Sequence, residues 1–345
     1  MKVLDLMKVG ELVLEEREIP VPGEGEVLLK VRACGICSSD EARIFTTGTY
    51  HFPTVPGHEF AGEVVKVGAG VSEDLIGKRA SVFPLLPCKK CSSCQKEDYA
   101  TCSDYKYFGS RNDGGFSEFL AVPVWNLNFV DDSVAFEVAA LSEPAAVAHH
   151  AVKAAEVKPG DKAVVVGTGA IGIMMAYFVK KAGGDVYIAG RRKESMEFAQ
   201  SLGFKTIDVS NMVDEVNRIT GGERMDIAIE GVGSNQSFAD CIMSLKPGGT
   251  LVAVGNPHGD FELPKDIYWK VLRWQLKIRG TWNSAYGSKD NDWKAVAEAM
   301  KDHDFPFEKL ITKKYTLDQS AEAMDRLRDK SEHKARLMFV MDGEK

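Results

Sequence analysis

Four cysteines, Cys88, Cys91, Cys94 and Cys102, fall within the polar stretch PCKKCSSCQKEDYATC. Soft thiolates at this C-x2-C-x2-C-x7-C spacing can close a tetrahedral shell around zinc with no position left open. A closed shell cannot take a substrate, so the pattern predicts a structural zinc. The rival reading, four unrelated loop thiols, does not account for the spacing.

A second set of ligand-type residues is spread along the chain. Cys37 lies in CGICSSDEAR, His58 and Glu59 in GHEFAGE, and Glu143 in LSEPAAVAHH. A thiolate, an imidazole and a carboxylate leave one coordination position free, as a catalytic zinc requires. Whether Glu59 or Glu143 supplies the carboxylate stays open. Cys34 and Cys37 also form a CxxC, which raises a redox pair. The strand-like VRACG instead reads Cys34 as a small core residue. His149 and His150 are alternative imidazoles, although histidines in a helical stretch more commonly pack or face solvent.

The third pattern is VVVGTGAIG, with Gly167, Gly169, Ala170, Ile171 and Gly172 directly after an apolar run and opening a helix. The glycines allow a tight turn, close approach of backbone to a pyrophosphate, and close helix–strand packing. The helix N-terminus adds free N–H groups for the phosphates. A lone GxGxxG is weak; set between strand and helix it predicts a dinucleotide site. At the end of the next apolar run, 18 residues after Gly172, NAD-binding chains place an acid, but here stand Gly190, Arg191 and Arg192. Glycine leaves room and guanidinium groups attract a 2′-phosphate, which favours NADP over NAD. The plain alternative is a pair of solvated loop arginines.

These residues need a frame. Residues 1–150 read as short strands joined by Gly- and Pro-rich turns, including EVLLKVRACG and GHEFAGEVVKVG. Residues 151–285 alternate strand and helix: DKAVVVG, AIGIMMAYFVKKAGG, DVYIAG, KESMEFAQSLG, MDIAIEGVG, SNQSFADCIMSLKPGG, TLVAVGNP and LKIRGTW. That alternation predicts a parallel sheet covered by helices on both faces. Residues 286–345 carry helices near 290–302 and 318–330, then the strand ARLMFVM, and return to the first domain. The fold class is therefore α/β, with a β-rich domain interrupted by a doubly wound one.

Composition narrows the function classes. The 345 residues are 44% hydrophobic with a net charge of −7, enough for full cores and unsuited to non-specific nucleic-acid binding. No apolar run is long enough to span a membrane, and MKVLDLMKVGELVLEE lacks a signal peptide's apolar core. A cytoplasmic protein without membrane or nucleic-acid partners is expected, and clustered cysteines in a reducing compartment favour metal over disulfides.

Taken in order, CGICSSD, GHEFAGEVVKVG, the four-cysteine segment, SEPAAVAHHAV and GTGAIG resemble the zinc-dependent medium-chain dehydrogenases over essentially the whole chain. The resemblance implies a GroES-like catalytic domain, with a structural-zinc lobe at about 86–104, interrupted by a Rossmann domain, and an active site in the cleft. It also implies that Cys37, His58 and Glu59 or Glu143 hold the catalytic zinc, that Ser39 relays the substrate proton, and that Asp40 orients the ligand histidine. Asp40 could otherwise be a turn or cap residue.

The segments SSDEARIFTTGTYHFPTVPGHEF, YKYFGSRNDGGFSEFLAV and IRGTWNSAY resemble the polyol dehydrogenases of the family. They imply hydride transfer between a nicotinamide cofactor and a secondary alcohol or ketone of a small polyol or polyol phosphate. Trp282 and Asn283 then match a pocket-lining segment, with core packing the alternative for Trp282. Arg43 and Arg111 are the cations available to a phosphate, each weighed against a solvated surface arginine. A sorbitol- or iditol-type dehydrogenase is the nearest rival, and a non-catalytic NADPH-binding redox sensor the rival of another class. The resemblance implies a homodimer or homotetramer.

Overall fold

The computed structural model describes residues 1–257, 259–329 and 331–341. The chain forms two compact units: Met1–Pro144 with Ala285–Lys345, and Ala145–Ser284.

The first unit is built on a seven-stranded, mostly antiparallel sheet. Its longest member, Glu26–Ile36, pairs with Glu59–Val67, Phe119–Pro123 and the late strand Arg336–Val340. Val27, Leu29, Val31, Cys34 and Ile36 from this strand are buried with Phe60, Phe116 and Phe339 in one apolar core. Cys34 is wholly buried, as the strand reading predicts, and burial pushes its thiol well above the ordinary range, which leaves it protonated and poorly suited to redox exchange. The short strands Leu85–Leu86 and Lys106–Tyr107 pair at the base of the four-cysteine segment.

The second unit is a six-stranded sheet in the order Lys205–Asp208, Asp185–Gly190, Lys162–Val166, Met225–Glu230, Leu245–Ala253, Lys277–Gly280, parallel throughout. This is the 3-2-1-4-5-6 order of the doubly wound Rossmann fold. KAVVV and MDIAIE are buried almost end to end, as strands covered on both faces must be. The strand Lys205–Asp208 and the helices Met212–Thr220 and Lys265–Arg273 have no counterpart in the sequence reading. Of the expected 318–330 helix, Ser320–Arg328 is helical, and residue 330 lies outside the described residues. No helix among the described residues is long and apolar enough to cross a membrane.

Candidate metal centres and nucleotide site

The antiparallel register of Glu26–Ile36 with Glu59–Val67 sets Gly35 opposite Glu59. A Cβ at Gly35 would stand 2.3 Å from Glu59 Oε2, so this glycine makes room for a buried carboxylate. Just beyond the two strand ends, Cys37, His58 and Glu59 each direct a ligand atom inward, all within 4.8 Å of one another. His58 and Glu59 are buried. Both Glu59 oxygens are buried without a hydrogen bond, a costly condition that the Arg336 charge near Oε1 offsets in part and a metal ion would relieve further. Thiolate, imidazole and carboxylate are a donor set suited to zinc, so the residues fit the metal.

The surrounding groups hold these side chains in charged form or position. Burial pushes the Cys37 thiol up, but His58 and Arg336 outweigh it and bring it down to about 5. Burial drives the Glu59 carboxyl well above the usual range, with Arg336 opposing. Arg336, from the late strand, stands 3.2 Å from Glu59 Oε1 and donates to the Ile36 carbonyl at 3.2 Å.

Cys37 also caps the short helix Ser38–Ala42, whose Asp40 is fully buried. Asp40 accepts the Cys37 N–H at 3.0 Å, and its Oδ1 is 3.5 Å from His58 Nδ1. Arg43 donates to Asp40 Oδ1 at 3.2 Å and to the Ser39 hydroxyl at 2.9 Å. Arg43 is thus no solvated surface arginine: its side chain is 24% exposed and belongs to this cluster. Glu143 is buried in the first turn of Ser142–Ala155 and accepts the Tyr107 hydroxyl at 3.2 Å. The Tyr107 ring lies 5.8 Å from that of His58. His149 instead packs edge-on against Phe178. Arg111 is also held, its guanidinium between the Tyr50 and Tyr105 rings.

The four-cysteine segment gathers Cys88, Cys91, Cys94 and Cys102 with their sulfurs within 4.8 Å of one another. The Cys88–Cys94 and Cys91–Cys102 sulfurs are 3.9 Å apart. A tetrahedron with metal–sulfur bonds of about 2.3 Å has edges of about 3.8 Å, so the spacing fits zinc. The Cys88 and Cys91 N–H groups point at the Cys102 and Cys88 sulfurs, which favours thiolates.

In the second unit, Gly167 has φ +126° where Lys162–Val166 turns into the helix Ala170–Lys181, capped by Gly169. A Cβ at Gly172 would lie 2.1 Å from the Gly167 carbonyl oxygen, so helix and turn meet only through glycine. Ala170 is buried and Ile171 partly so in the first turn of this helix. The neighbouring strand ends at Gly190, and exposed Arg191 and Arg192 follow, Arg192 capping the helix Lys193–Ser201. Trp282 is 57% exposed, which excludes core packing within its unit. Asn283 has φ +60° and a buried side-chain oxygen without a partner.

Two contributors to the centre escaped the sequence reading. Arg336 carried no signal, because its partner Glu59 is distant in the chain. Tyr107 sits in YKYFGSRNDGG, a segment read only for its likeness to relatives.

Comparison with known proteins places this geometry. The alcohol dehydrogenase GroES-like domain family matches residues 23–132, and the zinc-binding dehydrogenase family matches residues 170–302. The L-galactonate-5-dehydrogenase of Escherichia coli (strain K12) is 30% identical over 317 residues, covering 90% of this chain and 93% of that protein. The galactitol 1-phosphate 5-dehydrogenase of the same strain is 28% identical, with 92% of each chain covered. A crystal structure of galactitol-1-phosphate dehydrogenase from Escherichia coli superposes with a TM-score of 0.91 at 26% identity, covering 99% of this chain and all (100%) of that one. The chain therefore belongs to the zinc-dependent alcohol and polyol dehydrogenases of the medium-chain family.

Proposed function

We propose that this enzyme oxidises a secondary alcohol of a polyol, polyol phosphate or sugar acid with NADP, or reduces the matching ketone. The observation that carries the reading is the buried Cys37–His58–Glu59 group, whose carboxylate oxygens accept no hydrogen bond, in a chain of this family. Cys37, His58 and Glu59 hold the catalytic zinc, with Glu143 beside them as the second carboxylate. Cys88, Cys91, Cys94 and Cys102 hold the structural zinc.

When bound, zinc supplies Lewis acidity to the alcohol oxygen and the nicotinamide supplies the hydride acceptor. Ser39 relays the hydroxyl proton: its oxygen accepts from Arg43 on one lone pair and from the substrate on the other, while its own O–H proton passes toward solvent. Asp40, its Oδ1 3.5 Å from His58 Nδ1, positions the ring, which would leave Nε2 available to hold the metal. Trp282 and Asn283 are assigned to substrate binding on the resemblance of their segment, and the left-handed Asn283 backbone and its unpartnered amide oxygen are suited to a sugar hydroxyl.

Gly167, Gly169, Ala170, Ile171 and Gly172 cradle the pyrophosphate. Arg191 and Arg192 attract the 2′-phosphate at the end of the strand that closes on Gly190. Replacing both arginines by Ala weakens NADP much more than NAD; equal losses overturn the cofactor reading. Galactitol 1-phosphate, L-galactonate, sorbitol, xylitol and simple secondary alcohols, each assayed with NAD and NADP, test the substrate class. Activity confined to simple alcohols would overturn the polyol reading.

The edge strand Lys277–Gly280 and the exposed Tyr268, Trp269, Leu272 and Ile278 form an uncovered border of the second unit. A second copy of this chain covers it in a homodimer or homotetramer. Light scattering that returns a monomer overturns this.

A further inference from the structure

Gly190 is not in the left-handed region of backbone conformation, so its need for glycine is spatial. A Cβ at this position would stand 2.4 Å from Thr168 Cγ2, 3.1 Å from Met196 Cγ and 3.5 Å from Thr168 Oγ1. Thr168 is the middle residue of the Gly167–Gly169 turn, and β-branching stiffens its χ1. Its methyl therefore fills the space through which a side chain at 190 would leave the strand. One of the two other χ1 rotamers would bring the hydroxyl into that space, which still blocks a carboxylate; only the rotamer that turns Hβ there would open it. Among the described residues no group hydrogen-bonds the Thr168 hydroxyl, and the residue is only partly buried.

We infer that Thr168 is a determinant of cofactor specificity. Its methyl closes position 190 to the acid that would bind a ribose 2′-hydroxyl. Its hydroxyl donates to the 2′-phosphate that Arg191 and Arg192 attract. The inference rests on the NADP reading above: the arginines supply charge, and Thr168 supplies shape and one directional hydrogen bond.

The test measures NADPH and NADH dissociation constants and thermal midpoints on the zinc-loaded enzyme. Thr168→Val keeps the shape and removes the hydroxyl; it weakens NADPH by about tenfold, the scale of one hydrogen bond to a charged group, and leaves NADH unchanged. Gly190→Asp alone lowers the midpoint without tightening NADH. Adding Thr168→Ala to Gly190→Asp restores the midpoint and tightens NADH by about tenfold or more over the single variant.

NADPH affinity unchanged in Thr168→Val, or a Gly190→Asp enzyme that gains NADH at no thermal cost, overturns the inference and leaves the cofactor reading intact. Wild-type protein that binds NADH as tightly as NADPH removes the cofactor reading, and the inference falls with it.

Discussion

Arg43 donates a 2.9 Å hydrogen bond to the Ser39 hydroxyl while the same nitrogen reaches Asp40 at 3.2 Å. One permanently charged group thereby fixes both the hydroxyl proposed to take the substrate proton and the carboxylate that orients His58. Arg43→Ala lowers kcat by about 10- to 100-fold, the range of a lost acid–base positioning contact, while zinc content stays at the wild-type level. Arg43→Lys keeps charge but not the fork, and falls between the two. Steady-state kinetics beside metal analysis reads both; unchanged kcat in Arg43→Ala would remove this residue from the reaction.

Arg336 and Glu59 form an ion pair whose side chains are 7% and 0% exposed. Removing one partner of such a pair strands the other in a poorly solvated place. Arg336→Ala therefore destabilises the protein by about 3–5 kcal/mol in urea unfolding of the first unit. A loss below about 1 kcal/mol would mean that the pair is effectively solvated.

Zinc content separates the two centres. With both proposed centres filled, elemental analysis of the wild-type chain is expected to return two zinc ions. Cys37→Ala binds one, loses turnover and still binds the nicotinamide cofactor. Cys91→Ser also loses one, but its principal effect is a lower thermal midpoint, since structural zinc contributes folding free energy. Elemental analysis giving a single zinc in wild type would overturn the assignment of one of the clusters.

Asp131 gives a pH test away from the metals. The Ser133 N–H and hydroxyl, then Lys301, hold its carboxyl down to about 2. A depressed carboxyl stabilises the fold above its unfolded value near 4, and that contribution fades as pH falls toward 2. Lys301→Ala moves the Asp131 titration upward in a carbon-detected NMR series. An unmoved midpoint would leave Ser133 as the sole cause.

The frame and the four-cysteine cluster were legible because each is written in local patterns, whereas the dispersed Cys37–His58–Glu59 set was found from its residue types and flanking motifs. Period-two and continuous apolar runs gave the strands, glycine spacing gave the nucleotide turn, and thiol spacing gave the lobe. What escaped notice lacks such a pattern. Lys205–Asp208 is a four-residue strand with lysine and aspartate at its ends. Lys265–Arg273 sets only the half-buried Ile267 and Val271 on its core, and the exposed Tyr268, Trp269 and Leu272 between them blur that stripe in the sequence. Arg43 looked like a surface residue, because what buries its head is a fold-level meeting of Ser39, Asp40 and His58. Gly190 was noticed as room for a phosphate, whereas the space that a side chain there would need is filled by Thr168.

The Arg336 guanidinium reaches the Ile36 carbonyl across 300 positions of chain, with the whole Ala145–Ser284 unit strung between them. This sets an order for biosynthesis. The unit Ala145–Ser284 is contiguous and can close as soon as it leaves the ribosome, whereas the sheet beneath Cys37, His58 and Glu59 must wait for Arg336–Val340, which is made after it. Until then Glu59 is without its cationic partner, and the border of Glu26–Ile36 that will receive Arg336–Val340 stays open to other chains. Nascent protein is therefore most exposed to misassembly after its cofactor half is finished and before its chemical half exists.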